Sequence, residues 1–106
     1  MLRHFEYEFE WDSAKARTNV RKHRITFERA AMVFQDPLAL SQFDVDHSQT
    51  EDRWITLGLD GMGIPLVVCH TFREQGSSGA RIRIFSARKA TKNEIKYYRK
   101  GGGTKT

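Results

Sequence analysis

The sequence predicts an α+β fold, in which an antiparallel β-sheet has helices packed on one face. Three observations predict it. An alternating aromatic segment opens the chain, two stretches with helical spacing of apolar residues follow, and several short apolar segments separated by turn residues come next. A last helical segment completes the order β-α-α-β-β-β-β-α. Helices grouped on one side of an antiparallel sheet are a common arrangement for such a chain.

The first strand is predicted over residues 5–11, where aromatic residues alternate with glutamate. We expect the aromatic rings to face the core and the glutamates to face solvent. Asp12 is the expected N-cap of a helix that runs to about Arg24. A second helix is expected from about Thr26 to Asp36, because the residue before a proline avoids helical geometry. Its core stripe has helical spacing and consists of Phe27, Ala30, Ala31 and Phe34.

The second half of the chain is expected to form four strands and one helix. A polar loop at 44–52, a glycine turn at 61–63 and a flexible loop at 75–79 separate the strands. The last helix is expected from the N-cap Thr91 to about Lys100. Residues 1–100 then form one domain, and residues 101–106 form a disordered tail. The predicted strands are residues 38–43, 53–60, 65–73 and 80–86.

Composition narrows the classes of partner and compartment. The chain has 18 Lys and Arg against 13 Asp and Glu. This balance suits a polyanionic partner, because phosphate contacts release counterions, although it also serves solubility alone. Cys69 is the one cysteine, so an intrachain disulfide is impossible and the reducing cytoplasm fits best. No long apolar segment occurs near the N-terminus, so we expect neither a signal peptide nor a membrane span.

The predicted strand at 80–86 carries a basic face. Arg81 and Arg83 alternate with Ile82 and Ile84, so the arginines face solvent together with Phe85 if helices cover the isoleucines. Two arginines beside an aromatic ring can hold phosphates and stack a base. A solvated sheet face without a function is the alternative interpretation.

The loop before the second predicted strand concentrates groups suited to RNA cleavage. Cleavage without a metal needs a base for the 2′-hydroxyl, an acid for the leaving 5′-oxygen and a cation beside the phosphorane. His47 and Glu51 suit the first two roles, and Arg53 suits the third. The loop also fits a plain polar turn. Asp44, Asp46 and His47 could together bind a divalent ion, but short acidic loops of this kind usually bind nothing, so we expect no metal and no cofactor.

Other candidate residues have a structural interpretation beside the functional one. Lys22-His23 closes the first helix, where a histidine also interacts favourably with the helix dipole. Tyr98 on the last helix could stack a base or donate a proton. His70 lies in an apolar strand and is expected to be a satisfied core or sheet residue. The sequence has no Gly-rich phosphate loop, CxxC pair or nucleophile elbow, which argues against nucleotide-binding, zinc-ribbon and serine-hydrolase proteins.

Eight segments between about Phe9 and Arg99 share the order and spacing of a known family. They are Phe9-Glu10-Trp11-Asp12, Ala14-Lys15-Ala16 with Asn19, Lys22-His23, Phe27-Glu28-Arg29-Ala30, Asp36-Pro37-Leu38-Ala39, His47-Ser48, Glu51-Asp52-Arg53-Trp54-Ile55-Thr56-Leu57-Gly58 and Arg81-Ile82-Arg83-Ile84-Phe85-Ser86-Ala87-Arg88-Lys89-Ala90-Thr91. Together they resemble the BrnT toxins of type II toxin–antitoxin systems, which are RelE-like ribonucleases. Arg24 departs from the family pattern, in which glycine usually follows Lys-His, and adds charge near the expected groove.

This resemblance implies a RelE-like twisted antiparallel sheet and metal-independent RNA cleavage that inhibits translation. It implies RNA, free or ribosome-bound, and a BrnA-like ribbon-helix-helix antitoxin as partners, with DNA reached only through the antitoxin. A non-catalytic RNA-binding or antitoxin-binding module is the alternative. The implied catalytic residues are Glu51, Arg53, Arg83, His47 and Tyr98, and the implied RNA-binding residues are Lys22, His23, Arg81, Phe85, Ser86 and Arg88.

Overall fold

This computed structural model describes residues 5–102 of the chain. They form six strands and three α-helices, joined by turns and loops. The helices are α1 (Ser13–His23), α2 (Phe27–Met32) and α3 (Lys92–Arg99). Short 3-10 turns cover Val33–Gln35 and Val45–His47. The strands are β1 (Glu6–Glu10), β2 (Leu40–Phe43), β3 (Trp54–Leu59), β4 (Pro65–His70), β5 (Arg73–Glu74) and β6 (Gly79–Lys89).

The strands form one sheet in the order β1-β6-β4-β3-β2, and the short β5 also pairs with β6. All pairs except one are antiparallel, as predicted. The exception is β1, which runs parallel to residues 79–83 of β6. Parallel neighbours need a long crossover between them, and about seventy residues of chain separate these two strands. Because β1 ends at Glu10, the second half of β6 extends beyond it with an open edge.

Helices α1 and α2 cover the sheet face that carries Ile82 and Ile84, which confirms the predicted orientation of these isoleucines. Phe27 and Ala30 of α2 are fully buried, as their spacing predicts. Phe5 differs from its predicted inward orientation: it is 50% exposed, because it precedes the first paired residue of β1. The core cluster consists of Ile25, Phe27, Ala30, Val33, Leu66, Val68, Ile82, Ile84 and Ala87.

Helix α3 lies on the opposite face from α1 and α2. Its Tyr97 lies beside Leu57 and Val67, which alternate along their strands with Thr56 and Val68 of the core face. The α+β class and the order of the predicted elements are confirmed. Helix α3, expected on the same face as the other helices, covers the second face instead. After the helix, the N–H groups of Gly101 and Gly102 donate to carbonyls of its last turn. The rest of the predicted tail, 103–106, lies outside the described residues.

The three predicted N-caps are confirmed. The side chain of Asp12 accepts a hydrogen bond from the N–H of Lys15 (3.0 Å), and Thr26 accepts one from Arg29 (3.2 Å). Thr91 forms a full capping box with Glu94. No helix within residues 5–102 is long and apolar enough to cross a bilayer.

Helix α1 ends in a conformation that favours glycine. Arg24 has φ 61° and ψ 29°, the left-handed region, and it is the one non-glycine residue of the described chain with a positive φ. An L-residue costs roughly 1 kcal/mol more than glycine there. This geometry explains why a glycine suits the position, and it shows that the chain keeps an arginine there at a cost in stability.

A buried asparagine joins α1 to the open edge of β6. The Asn19 amide donates to the carbonyl of Ala87 (2.8 Å) and accepts from the N–H of Ala87 (3.1 Å), as a neighbouring strand would. The same amide nitrogen donates to the carbonyl of Ile25 (2.9 Å). Asn19 is only 4% exposed. It therefore satisfies three buried backbone groups where β1 has ended.

A hydrogen-bonded chain crosses the core face between β2, β3 and β4. Ser41 lies 2.7 Å from Thr56, and Thr56 lies 2.6 Å from Nε2 of His70. Nδ1 of His70 lies 2.8 Å from the carbonyl of Thr71, which can only accept. Burial lowers the pKa of His70 to about 4, although the bond to Thr71 opposes the shift. His70 is thus a satisfied core residue, neutral at physiological pH.

We expect the substitution Asn19→Ala to lower the free energy of unfolding by about 3 kcal/mol, because it leaves three buried backbone groups without a partner. Urea denaturation at pH 7 measures the change. The control is Asn93→Ala on the exposed surface of α3, which should stay within about 0.5 kcal/mol of the parent. Equal effects of the two substitutions would contradict the role given to Asn19.

The His70 side chain should make stability depend on pH. Because its folded pKa lies below the unfolded value of 6.5, the unfolded state binds more protons, and the contribution is lost as pH falls from 6.5 towards 4. The full loss is about 3 kcal/mol. Urea denaturation from pH 7 to 4 should show a shallower dependence in His70→Gln and an unchanged one in Asn93→Ala, an exposed position without a titratable group. Parallel curves for all three proteins would rule the effect out.

Candidate functional site

Three cations surround one aromatic ring at the edge of the sheet, where α1 lies beside β6. The guanidinium carbon of Arg53 lies 4.1 Å from the ring centroid of Phe85, that of Arg83 lies 5.2 Å away, and Nζ of Lys15 also lies 5.2 Å away. Each is within the range of a cation–π attraction. We name these four residues the Phe85 cluster. They come from α1, from the segment before β3 and from β6, so only the folded chain assembles them.

A β-bulge places Phe85 in this position. Cys69 is opposite Ser86 and His70 is opposite Ile84, so Phe85 is an extra residue without a partner on β4. A bulge bends its strand and changes the direction of a side chain. Here the bulge lies where β6 has passed the end of β1 and α1 has taken its place. The ring of Phe85 can therefore contact both the sheet arginines and Lys15.

A cleft of about 350 Å³ opens on one side of the cluster. Arg83 lies in it and donates from one guanidinium nitrogen to both carboxylate oxygens of Glu51. The N–H of Arg83 also donates to the hydroxyl of Thr71 (3.1 Å), which holds the backbone in place. We name this the Glu51 cleft. Its lining includes Thr50, Glu51, Thr71, Phe72, Arg81 and Arg83.

A second depression, also of about 350 Å³, lies between α1 and the bulge. We name it the α1 cleft. Phe85 and Lys15 line this depression, while Arg83 lines the Glu51 cleft, so the Phe85 cluster lies between the two. The α1 cleft is lined by Lys15, Thr18, Lys22, His23, Phe85 and Ser86, among others.

The Arg53 guanidinium contacts the ring of Phe85 and also has one hydrogen-bond donor that is not used. Its Nε atom is buried and has no hydrogen-bond partner among the described residues. Its backbone N–H donates to the hydroxyl of Ser48 (3.0 Å), which anchors the residue to the preceding loop. Buried polar atoms without a partner are rare in native proteins, and a catalytic role is one of the explanations for them. Arg53 is thus oriented by Phe85 and still able to donate.

Helix α1 carries much of the positive charge around the site. Residues 13–24 contain five cations and no Asp or Glu, and five is also the formal net charge of the whole chain. None of the five forms an ion pair within residues 5–102. An uncompensated basic surface beside two clefts attracts a polyanion. The five cations are Lys15, Arg17, Arg21, Lys22 and Arg24.

The structure does not bring His47 into contact with the cluster. Nδ1 of His47 lies 3.0 Å from the Asp44 carboxylate, and the imidazole is largely exposed in the 3-10 turn. Asp44 therefore binds a histidine of its own loop. Within the described part of the chain, no three His, Cys, Asp or Glu residues lie close enough together to hold a metal ion.

Tyr98 lies at the other end of β3. Its hydroxyl donates to Asp36 (2.6 Å), and Asp36 also accepts from the N–H of Leu59 (2.9 Å). Six residues of strand separate Leu59 from Arg53, which is about 20 Å at 3.3 Å per residue. Partial burial and the Asp36 carboxylate raise the pKa of Tyr98 to about 12. These contacts attach α3 to the sheet and keep Tyr98 away from the Phe85 cluster.

Two of the predicted RNA-binding arginines have carboxylate partners. Arg88 pairs with Glu94 through two bonds of 2.8 and 2.9 Å, which hold α3 against β6. The hydrogen bond from Arg88 lowers the pKa of Glu94 to about 2. Arg81 makes an exposed pair with Glu8 (3.1 Å) at the rim of the Glu51 cleft. The structure therefore favours a structural role for Arg88 and leaves Arg81 near the site.

The structure brings together most of the residues expected from the sequence and adds one. Glu51, Arg53 and Arg83 meet at Phe85, and Lys22, His23 and Ser86 line the adjoining α1 cleft. Lys15 lies in a segment that carries the family resemblance, but it was not among the expected site residues, because a lysine in a basic helix does not by itself indicate a site. Its position one turn before Asn19, on the helix that lies against β6, is the signal that could have identified it.

Comparison with known proteins identifies the family of this chain. A family model described as "Ribonuclease toxin, BrnT, of type II toxin-antitoxin system" matches residues 11–94. The chain belongs to the BrnT family. Most of the Phe85 cluster's surroundings, from α1 to the start of α3, lie within the match. Membership establishes a ribonuclease toxin family, with RNA as substrate and an antitoxin as partner.

A solved structure supports the fold of this BrnT chain. The 1.1 Å crystal structure of the Brucella abortus ribonuclease toxin BrnT matches with a TM-score of 0.51 and 19% sequence identity. The match covers 83% of this chain and 99% of the Brucella chain. No curated protein matches the sequence. At this identity the structural match supports the shared architecture alone.

Lys15→Gln should weaken binding of single-stranded RNA and lower the slope of log K against log salt by about 0.7, the effect of one lost phosphate contact. Fluorescence anisotropy of a labelled oligonucleotide whose 2′-hydroxyls are methylated measures binding without cleavage. Lys96→Gln, an exposed lysine on α3, is the matched control and should leave the slope unchanged. An equal loss of slope in both variants would mean that Lys15 contributes only general charge.

Proposed function

We propose that this BrnT chain is a metal-independent endoribonuclease that inhibits translation and is neutralised by a BrnA-like ribbon-helix-helix antitoxin. The observation that carries the proposal is the pairing of Glu51 with Arg83 beside the Phe85 cluster. A carboxylate and several cations in one open cleft are the groups that transfer of a phosphate ester needs. The antitoxin would provide the contact with DNA, and the pair would act in the cytoplasm.

Arg53 and Arg83 hold the scissile phosphate in this proposal. A phosphorane has two negative oxygens where the substrate phosphate has one, so two fixed guanidinium groups stabilise the transition state more than the ground state. The ring of Phe85 orients both groups, and Arg53 keeps a buried Nε donor. In the free protein, Glu51 neutralises Arg83, and a bound phosphate shares that cation.

Glu51 is the proposed general base. Its carboxylate, held by Arg83 in the Glu51 cleft, accepts the proton of the ribose 2′-hydroxyl. The 2′-oxygen then attacks phosphorus, and a new P–O bond forms as the bond to the 5′-oxygen breaks. The product of this step is a 2′,3′-cyclic phosphate. A carboxylate held beside the cations proposed to bind the phosphate is suited to this transfer.

His23 is the proposed proton donor to the leaving 5′-oxygen. In-line displacement puts the attacking and leaving oxygens on opposite sides of phosphorus, so acid and base should lie on opposite sides of the phosphate site. His23 lines the α1 cleft, and Glu51 lines the cleft across Phe85. Imidazole is the side chain most often used for such a transfer near neutral pH. His47 is the second candidate for the proton donor, because its imidazole already has Asp44 as a partner.

The test is cleavage of end-labelled RNA in EDTA by the parent protein, two site variants and one control variant. We expect Arg83→Ala to lower the cleavage rate about 10² to 10³-fold, because a charge on the phosphorane loses its partner. Glu51→Gln should lose a similar factor by removing the base. Arg99→Ala, an exposed arginine on α3, should keep the parent rate. Cyclic phosphate ends identify the chemistry.

Full cleavage by both Arg83→Ala and Glu51→Gln, with the fold intact, would refute the site. Loss of parent cleavage in EDTA would refute metal independence. Tight binding with no cleavage, in the presence or absence of ribosomes, would favour the RNA-binding module. The same proteins in a cell-free translation reaction test the cellular role: the parent should stop synthesis, and an added BrnA-like antitoxin should restore it.

A further inference from the structure

An aromatic cavity lies beside the Glu51 cleft and has no part in the steps above. Its volume is about 270 Å³, just below the range of about 300–1,000 Å³ that suits drug-sized ligands, so it fits a single planar ring system. Phe72 lines both this cavity and the Glu51 cleft, so the two are neighbours. We name it the Trp54 pocket. Its lining is Tyr7, Phe34, Ser41, Trp54, His70 and Phe72.

The ring of Phe85 is poorly placed to stack a base, although its sequence context predicts that role. Arg53 lies 4.1 Å from its centroid, and two further cations lie 5.2 Å away. These contacts make Phe85 a support for guanidinium groups. A base next to the phosphate therefore needs another aromatic surface, and Phe72, which lines both the Glu51 cleft and the Trp54 pocket, offers one. Phe72 is 39% exposed and so accessible from the cleft.

The hydrogen-bonded chain beneath the pocket gives Ser41 a defined polarity. The carbonyl of Thr71 can only accept, so Nδ1 of His70 carries the proton and Nε2 accepts from Thr56. The oxygen of Thr56 then accepts from the hydroxyl of Ser41. The Ser41 proton is thus directed into the protein, and the Ser41 oxygen keeps free lone pairs. The pocket offers an acceptor to any ligand.

We infer that the Trp54 pocket binds one unpaired nucleobase of the RNA next to the scissile phosphate. This inference rests on the proposed ribonuclease function. The base stacks on Phe72 and Trp54 and donates an N–H to the oxygen of Ser41, while Arg53 and Arg83 hold the phosphate. Stacking tolerates every base, and the single acceptor favours an edge with an amino or imino group. The substrate is accordingly a single-stranded segment of RNA.

The experiment uses hexanucleotides with 2′-O-methyl groups and one 2-aminopurine, whose fluorescence falls when the base stacks. A 5′-fluorescein reports total binding by anisotropy, independently of cleavage. On the parent protein we expect quenching of 2-aminopurine. Phe72→Leu should remove most of the quenching and weaken binding about tenfold. Ser41 is exposed, so Ser41→Ala should leave the fold intact, and it should weaken binding about fivefold. Tyr97→Leu, an exposed ring on α3, is the control and should match the parent.

The results separate this inference from the proposed function. Salt-sensitive binding by the parent without quenching would overturn the base site and leave the phosphate contacts standing. Absence of any binding would overturn both. Quenching and affinity that survive both Phe72→Leu and Ser41→Ala would also overturn the base site. If Phe72→Leu leaves the oligonucleotide unaffected and weakens the antitoxin complex, the pocket is a protein-docking site and the inference is wrong.

Discussion

The contact between Asn19 and the open edge of β6 joins the basic helix α1 to the part of the sheet that carries the site arginines. β1 stops at Glu10 while β6 continues to Lys89, so backbone groups of β6 would otherwise face an unpaired edge. One amide side chain replaces the missing strand and joins α1 to the sheet. The helix brings Lys15, Lys22 and His23 beside Phe85 as a result. Without this junction the arginines of the sheet would have no basic helix opposite them.

Local rules were enough to predict much of the fold. Asp12, Thr26 and Thr91 were recognisable as N-caps from their neighbours, and period two alone placed Ile82 and Ile84 in the core. The parallel pairing of β1 and the position of α3 depend on contacts between distant parts of the chain. No local pattern reports such contacts, so these features required the structure.

The same division applies to the site. Glu51, Arg53 and Arg83 follow from the chemistry of phosphate transfer together with a family resemblance. The role of Phe85 as a support for cations could not be predicted in this way, because an aromatic residue next to arginines in a strand fits a base-stacking surface equally well. The bulge opposite Cys69 and His70 decides between these uses by directing the ring towards three cations. Tyr98 was expected in the site but lies outside it. Its partner Asp36 is 62 positions away in the sequence, so no local pattern could show this contact.

The arginine at the end of α1 has a consequence for how this protein could change. Arg24 occupies a left-handed conformation, in which glycine costs less, and it adds charge to a helix that is already basic. Stability and attraction for a polyanion therefore pull this position in opposite directions. Selection for thermal stability would favour glycine at this position, whereas selection for fast binding of the substrate would retain the arginine.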